Sequence, residues 1–503
     1  MIRSIVSIAF SLFLLSGCVA NPLTFLPGQF SDDDTYLNQI GKTHTSSKNH
    51  EAQLFDRYSQ QSSGNGLIDY PAMEVYLNSR LDIIKSASGI EELAGAVYIT
   101  AEEAYFARVS GEGNIYIPVE LLRDLDSEDE LVALLAHELS HYILNHNNSD
   151  FFVDIQKKGV YLVGIVGNAK AGDSGQMNKR EARQFRNALG ALMVSDGILH
   201  PGYNRRQEIQ ADKLGVDLMI SAGYNPEAMM RLLEKLSTWE AQTAALKQQN
   251  QELQQALLEQ ARAAAGTDIE QHINLALGDI VSNLRKTFID ISSTHPDAEA
   301  RIASMQNYLQ IHHRRASRPT IRSQDWQRLS QSTQTGRLIE AVKAVNQGQA
   351  LMAEGKTKQG TQLILQHVND YTRNQNFVRK ALYVARLSEG DNSNAMTNVQ
   401  LGLQGSYPSF ELQHAYHVLQ ARNPEEMALR TDEVNAIFEI YGKPAQHFID
   451  VINLAEATNN QGLKASLMIE CRLKFLGEPV ACQPGEEAQS QELSFNRLVE
   501  AML

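Results

Sequence analysis

The spacing of apolar residues divides the chain into blocks. Between about Glu51 and Ser88 the pattern is helical, carried by Tyr70, Met73, Val75, Tyr76, Leu77, Leu81, Ile83 and Ile84. Two short β-rich runs follow, GAVYIT (95–100) and NIYIPVELL (114–122). The glycines of the intervening AEEAYFARVSGEG suit a turn. At 127–130, SEDE opens another helix, since Ser127 with Glu130 three residues on is a capping-box signature. LVALLAHELSHYILNH (131–146) continues it. Residues 155–200 hold two apolar patches, GVYLVGIVG and NALGALMVSDGIL. Both fall short of the roughly 18 residues that a membrane span needs and read as buried helices. Residues 204–236 read as two helices parted at Gly223-Tyr224-Asn225-Pro226. Within 241–266, rich in Ala, Gln and Leu, Leu246, Leu253 and Leu257 keep a weak heptad and predict a long projecting helix or helical hairpin.

After about Gln310 the pattern changes. HHRRASRPTIRSQDWQ reads as a linker, assigned to 311–335. Beyond it, AEGKTKQGTQLILQHV (353–368) and SEGDNSNAMTNVQLGL (388–403) align at an offset of 35, and segments at 423–434 and 460–471 echo them. The small residues Gly360, Ala395, Ala428 and Ala465 mark the period. Helical-hairpin repeats of about 34 residues are the tetratricopeptide signature, so 336–485 is expected to be a tetratricopeptide-like solenoid with a concave, partner-binding face. The final stretch, 486–503, reads as a tail.

The N-terminus changes the compartment. Arg3 precedes a short apolar run, and Leu15-Ser16-Gly17-Cys18 resembles a bacterial lipobox. Residues 1–17 are then a signal peptide, Cys18 the lipidated mature terminus, and the polar 18–50 a tether. Val19, not Asp, after the Cys fits sorting to the outer membrane of a two-membrane bacterium. A lipid there would anchor the chain to a membrane without threading it. An exported chain meets oxidising conditions, so Cys471 and Cys482 are expected to pair. The net charge of −14 argues against a nucleic-acid footprint, and 503 residues suggest two to four domains.

Three titratable residues interrupt the apolar run at 131–146. On a helix, His137 and His141 share one face and can reach one cation, while Glu138 sits one step round, near a water on that cation. HExxH is a two-imidazole site with a general base, and zinc fits it, one ion per chain. The third ligand is expected from EIQAD (208–212): Glu208, with Asp212 one turn on to accept an imidazole N–H.

HELSH (137–141), EIQAD (208–212) and STHPDAEARI (293–302), in this order, resemble the zinc endopeptidase family of HtpX, the CAAX prenyl proteases and the periplasmic BepA-like enzymes. The resemblance covers roughly 65–310. It implies zinc on His137, His141 and Glu208, Glu138 as base, and site roles for His295 and Arg301. His295 is either a loop ligand that plugs the fourth zinc position or an oxyanion donor. The order of signal, protease and repeats resembles BepA-type enzymes of outer-membrane quality control most. Two features depart from the family. AYFARVSGEGN stands where the substrate-binding strand carries Asn-Ala-Phe-Ala, and the insertion at about 240–285 is long. His146 recurs in the family but falls off the ligand face and reads as structural.

These readings give an α+β, mostly α chain: a gluzincin-type metalloprotease domain with a small sheet at 51–310, then the α-helical solenoid. The expected function is periplasmic zinc endopeptidase, acting on protein substrates and, through the repeats, meeting an outer-membrane assembly complex. The alternative is a chaperone or scaffold with little proteolysis, which would have no reason to keep Glu138. A third reading, a zinc hydrolase of peptidoglycan or small peptides, finds no carbohydrate site in the sequence.

Overall fold

The computed structural model describes residues 33–40, 50–104, 106–146, 203, 205–239, 298–353, 355–421, 423–443 and 447–474. It is mostly helical with one small sheet. The stretch 51–88 is two helices, α2 (His50–Ser62) and α3 (Pro71–Ser88), preceded by a short α1 (Tyr36–Ile40). The break falls at Gly64 and Gly66, both at positive φ, a backbone region that glycine enters without steric cost. Pro71 then opens α3, where its missing N–H is no loss, and Gly89 ends it in the left-handed conformation. The polar tether is not featureless. Tyr36 and Ile40 of α1 are buried, and Tyr36 N–H donates to the Tyr308 hydroxyl at 3.0 Å.

Strands β1 (Val97–Thr100), β2 (Arg108–Val109) and β3 (Ile115–Pro118) lie in the order β1-β3-β2. β1 runs parallel to β3, with Val97 opposite Ile115, and β2 runs antiparallel to it. The other side of β1 is partly covered: Leu67 bridges Thr100, and Ile68 N–H donates to Ile99 O at 2.8 Å. β3 is shorter than its apolar run, 114–122, suggested. Pro118 caps α4 (Val119–Asp124), so VELL is helical.

α5 (Glu128–Ile143) is the central helix, and of its residues only Tyr142 is not buried. Ser127 caps it, its hydroxyl accepting from Glu130 N–H at 3.1 Å, while the Glu130 carboxylate takes Asp126 N–H at 2.8 Å rather than that of Ser127. The acidic residues of its first turn are buried with partners, as burial requires. Glu128 accepts from Tyr224 (2.9 Å), Asp129 from the Asn225 and Arg322 amides (2.9 and 2.8 Å), and Glu130 pairs with Lys235 (2.9 Å). Leu131, Val132, Leu135 and Leu139 pack with Met73, Leu77 and Leu81 of α3 and with Val97, Ile99, Ile115 and Ile117 of the sheet. α6 (Arg205–Ser221) lies along α5, followed by α7 (227–239) and α8 (Ala298–His312), which packs on α6.

The segment expected as a linker is folded. It holds α9 (Gln324–Ser330), whose Trp326 is wholly buried and donates from Nε1 to Leu125 O at 2.7 Å. Four helix pairs follow: α10 (Thr333–Ala353) with α11 (Thr357–Gln366), α12 (Asn376–Ser388) with α13 (Asn392–Gly402), α14 (Phe410–Gln420) with α15 (Pro424–Ile440), and α16 (Phe448–Ala457) with α17 (Gln461–Lys474). Each pair packs on the next. The small-residue period holds only in part. Gly360 and Ala395 are buried, but Ala428 and Ala465 face solvent. α15 buries Met427, Thr431, Val434 and Phe438, and α17 buries Leu467 and Cys471, so in both helices the alanine sits on the outer side. The pairs dock on the first part of the chain through Gln61 to Pro408 O (2.9 Å) and Ser406 N–H to Asp69 (2.9 Å).

Cys471 is disulfide-bonded, while Cys18 and Cys482 lie outside the described residues. So do the patches of 155–200, the 240–285 insertion and the C-terminal tail. Among the described residues no helix is long and apolar enough to cross a membrane.

Candidate metal centre

α5 and α6 build the site together. Their close approach has a local cause: a Cβ on Gly215 would stand 3.2 Å from His137 N and 3.0 Å from the Met229 methyl. Glycine here lets the α6 backbone press against α5 beside His137. Glu208 and Asp212, two turns and one turn before Gly215, then face the two histidines.

His137, His141 and Glu208 converge, all three buried, and among the described residues they form the one His, Cys, Asp or Glu cluster whose ligand atoms could share a cation. His137 Nε2 lies 3.1 Å from His141 Nε2, and the Glu208 oxygens lie 3.5 Å from each of those nitrogens. A tetrahedral zinc bonded at 2.0–2.1 Å would hold its ligand atoms about 3.3 Å apart. The three donors therefore already stand near the edges of such a tetrahedron, and the donor set fits zinc.

The partners behind these residues set their orientation. Asp212 Oδ1 lies 3.0 Å from His137 Nδ1, which leaves Nε2 facing the centre. Arg301 of α8 spans both acids, with Nε to Asp212 Oδ2 at 2.8 Å, Nη2 to Asp212 Oδ1 at 2.6 Å and Nη1 to Glu208 Oε2 at 3.0 Å. Burial alone would raise the Asp212 pKa, but Arg301 and His137 outweigh it and hold the carboxylate well below the usual range. Burial pushes the Glu208 carboxyl up, against Arg301 and His137. For His137 burial opposes protonation, and Asp212 and Glu208 more than reverse it.

Glu138 lies beside the cluster, 5% exposed, and its Oε2 has no hydrogen-bond partner among the described residues. Burial pushes its carboxyl up to about 7, the neutral range suited to a general base, and a divalent cation alongside would favour the charged form.

The structure thus gathers His137, Glu138, His141, Glu208, Asp212 and Arg301 in one place. His295 lies outside the described residues. Of two further neighbours, His146 reads from the sequence as structural and Tyr203 is not singled out. His146 stands 2.9 Å from His141, Nδ1 to Nδ1. Tyr203 stacks on the His141 ring, with centroids 3.5 Å apart and planes at 16°. The signal for His146 was Asn145, a residue that tolerates the left-handed turn ending a helix; nothing in the sequence marked Tyr203.

Comparison with known proteins agrees with this geometry. Residues 76–309 match the model of Peptidase family M48. The chain is 26% identical over 212 residues to the Beta-barrel assembly-enhancing protease of Escherichia coli K12, covering 41% of this chain and 42% of that protein. It is 26% identical over 190 residues to the Mitochondrial metalloendopeptidase OMA1 of Schizosaccharomyces pombe, 37% of this chain and 52% of that one. It is 25% identical over 144 residues to the Metalloprotease LoiP of Escherichia coli K12, 29% and 51% of the two chains. The chain thus spans about two fifths to one half of the length of these curated relatives.

Proposed function

We propose that the chain is a zinc-dependent endopeptidase of the bacterial periplasm, held to the outer membrane by lipid on Cys18. It degrades misfolded or stalled envelope proteins and assists outer-membrane protein assembly. The observation that carries the proteolytic part is the convergence of His137 Nε2, His141 Nε2 and the Glu208 carboxylate within ligand distance of one point, with a buried Glu138 oxygen that has no partner among the described residues beside them.

His137, His141 and Glu208 would hold the ion. Zinc there would supply a Lewis acid that lowers the pKa of a water and polarises the scissile carbonyl. Glu138 takes the proton of the attacking water on its free carboxylate oxygen and passes it to the departing amine. Asp212 fixes the His137 ring from behind. Arg301 pairs with both buried acids and holds Asp212 in its charged form. The name of the Escherichia coli relative supports the assembly role. The four stacked helix pairs offer a surface on which a substrate protein or an assembly complex could be received. The helical-repeat reading, a tetratricopeptide-like solenoid from 336 to 485, belongs to this proposal, as does His295 acting at the site as plug or oxyanion donor.

The test is cleavage of an unfolded model protein by the purified chain. Hydrolysis should stop on chelation and return with added zinc. Hydrolysis that survives full metal removal would overturn the reading. For the anchor, Cys18→Ala should move the chain from the membrane pellet to the soluble fraction, and a mutant still pelleting with membranes would remove the lipid from the proposal.

A further inference from the structure

His146 lies just beyond the central helix, where a continued helix would turn it away from the site. The chain does not continue as a helix. Asn145 adopts the left-handed conformation (φ 55°), its N–H donates to Tyr142 O at 3.0 Å, and His146 N–H donates back to His141 O at 2.9 Å. These two bonds are the paired closure of a Schellman motif, with Asn145 and His146 as the first and second residues past the cap. That motif carries the second residue back against the helical residue five positions earlier. An apolar pair commonly fills this contact. Here two imidazoles fill it, with His146 Nδ1 at 2.9 Å from His141 Nδ1 and the rings 5.0 Å apart at 67°. His146 is 9% exposed and also hydrogen-bonds the Gln210 side chain, which stands on α6 between Glu208 and Asp212.

We infer that His146 is a positioning residue for the metal centre: it accepts the Nδ1–H of His141 and so commits Nε2 of that ring, and its lone pair, to the cation. The inference rests on the zinc reading above. With Nε2 as the ligand atom, the one ring proton of neutral His141 must sit on Nδ1, and the acceptor 2.9 Å away is His146 Nδ1. His146 then carries its own proton on Nε2, free to donate to Gln210. The two liganding imidazoles are thus oriented by different means: His137 by an acid on α6, His141 by a neutral imidazole delivered by the helix cap. Groups behind a metal ligand typically change metal affinity about 10–100-fold when removed.

The experiment measures zinc affinity of the full chain by chelator competition, without reference to catalysis. His146→Leu should weaken zinc about 10–100-fold. His146→Asn, whose Oδ1 can accept where Nδ1 did, should stay within a few-fold of wild type, and Asn145→Gly, which keeps the left-handed turn, should match wild type. Equal affinity of His146→Leu and wild type overturns the inference, as does an equal loss in His146→Asn and His146→Leu. Should His146→Leu fail to fold, the cobalt-substituted wild-type chain decides by proton NMR. The inference requires a slowly exchanging, paramagnetically shifted Nδ1–H from His141, and metallation through Nδ1 overturns it. A wild-type chain that binds no zinc removes the metalloprotease reading itself. One that binds zinc with no dependence on residue 146 removes only this inference.

Discussion

Arg301 and Asp212, 89 residues apart in sequence, form a buried bidentate pair, Nε to Oδ2 at 2.8 Å and Nη2 to Oδ1 at 2.6 Å. The third guanidinium nitrogen reaches Glu208, so one cation holds two acids beside the two histidines. Breaking a buried pair by removing one member costs about 3–5 kcal/mol, because a buried charge is left without its partner. Arg301→Met should therefore lower the urea-unfolding stability of the metal-free chain by that amount. Part of the loss should return when zinc is added, since the ion supplies positive charge to Glu208. A change below about 1 kcal/mol in the metal-free chain would show that the pair does not hold the site together.

Gly215 sets the distance between the helices that carry the ligands. A valine there places its branched carbons against His137 N and the Met229 methyl, where a single Cβ is already at 3.2 and 3.0 Å. Overpacking of this kind costs typically about 1–3 kcal/mol. Gly215→Val should destabilise by that much and lose zinc together with stability, because it parts α5 from α6. Retention of zinc at wild-type affinity in this variant would mean that the helices can separate without moving Glu208.

Trp326 ties the segment between the two halves of the chain to the first half. It is wholly buried, and its indole N–H donates to Leu125 O at 2.7 Å. Trp326→Ala should cost about 3–5 kcal/mol and expose 311–335 to added protease. A variant as resistant as wild type to limited proteolysis would show that the contact is not what orders the segment.

Cys471 is buried and disulfide-bonded, and Cys482 is its expected partner. Alkylation of the unfolded, unreduced chain should leave both unlabelled, and digestion should give one peptide pair that separates on reduction. Labelling of either thiol before reduction would refute that pairing.

The parts of the site that follow from helical spacing were legible in the sequence. His137, His141 and Glu138 sit on one helix at fixed offsets, and Glu208 and Asp212 sit one turn apart on another. What brings the two helices together was not legible, because it depends on a glycine at a crossing point; Arg301, in a third helix, was named only through the family resemblance. The place of His146 beside His141 was not legible, because Asn145 reverses the chain where a continued helix would turn His146 away. The same limit applies to the repeats. A period of small residues marks Gly360 and Ala395 correctly. In α15 and α17 the buried face is set by Met427, Thr431, Leu467 and Cys471, and Ala428 and Ala465 lie outside it. The helix after Pro118 was hidden inside the apolar run 114–122, whereas the break at Gly64 and Gly66 lies in a polar stretch, SQQSSGNG, whose turn residues were passed over.

The most direct measurement is paired zinc content and peptide hydrolysis of Glu138→Gln. The amide preserves the volume and leaves His137, His141 and Glu208 in place, but it cannot accept a proton from water. The expected result is about one zinc per chain, as in wild type, with hydrolysis of an unfolded protein lower by about two orders of magnitude or more. Wild-type hydrolysis by a zinc-loaded Glu138→Gln chain would contradict the assignment of Glu138 as the base.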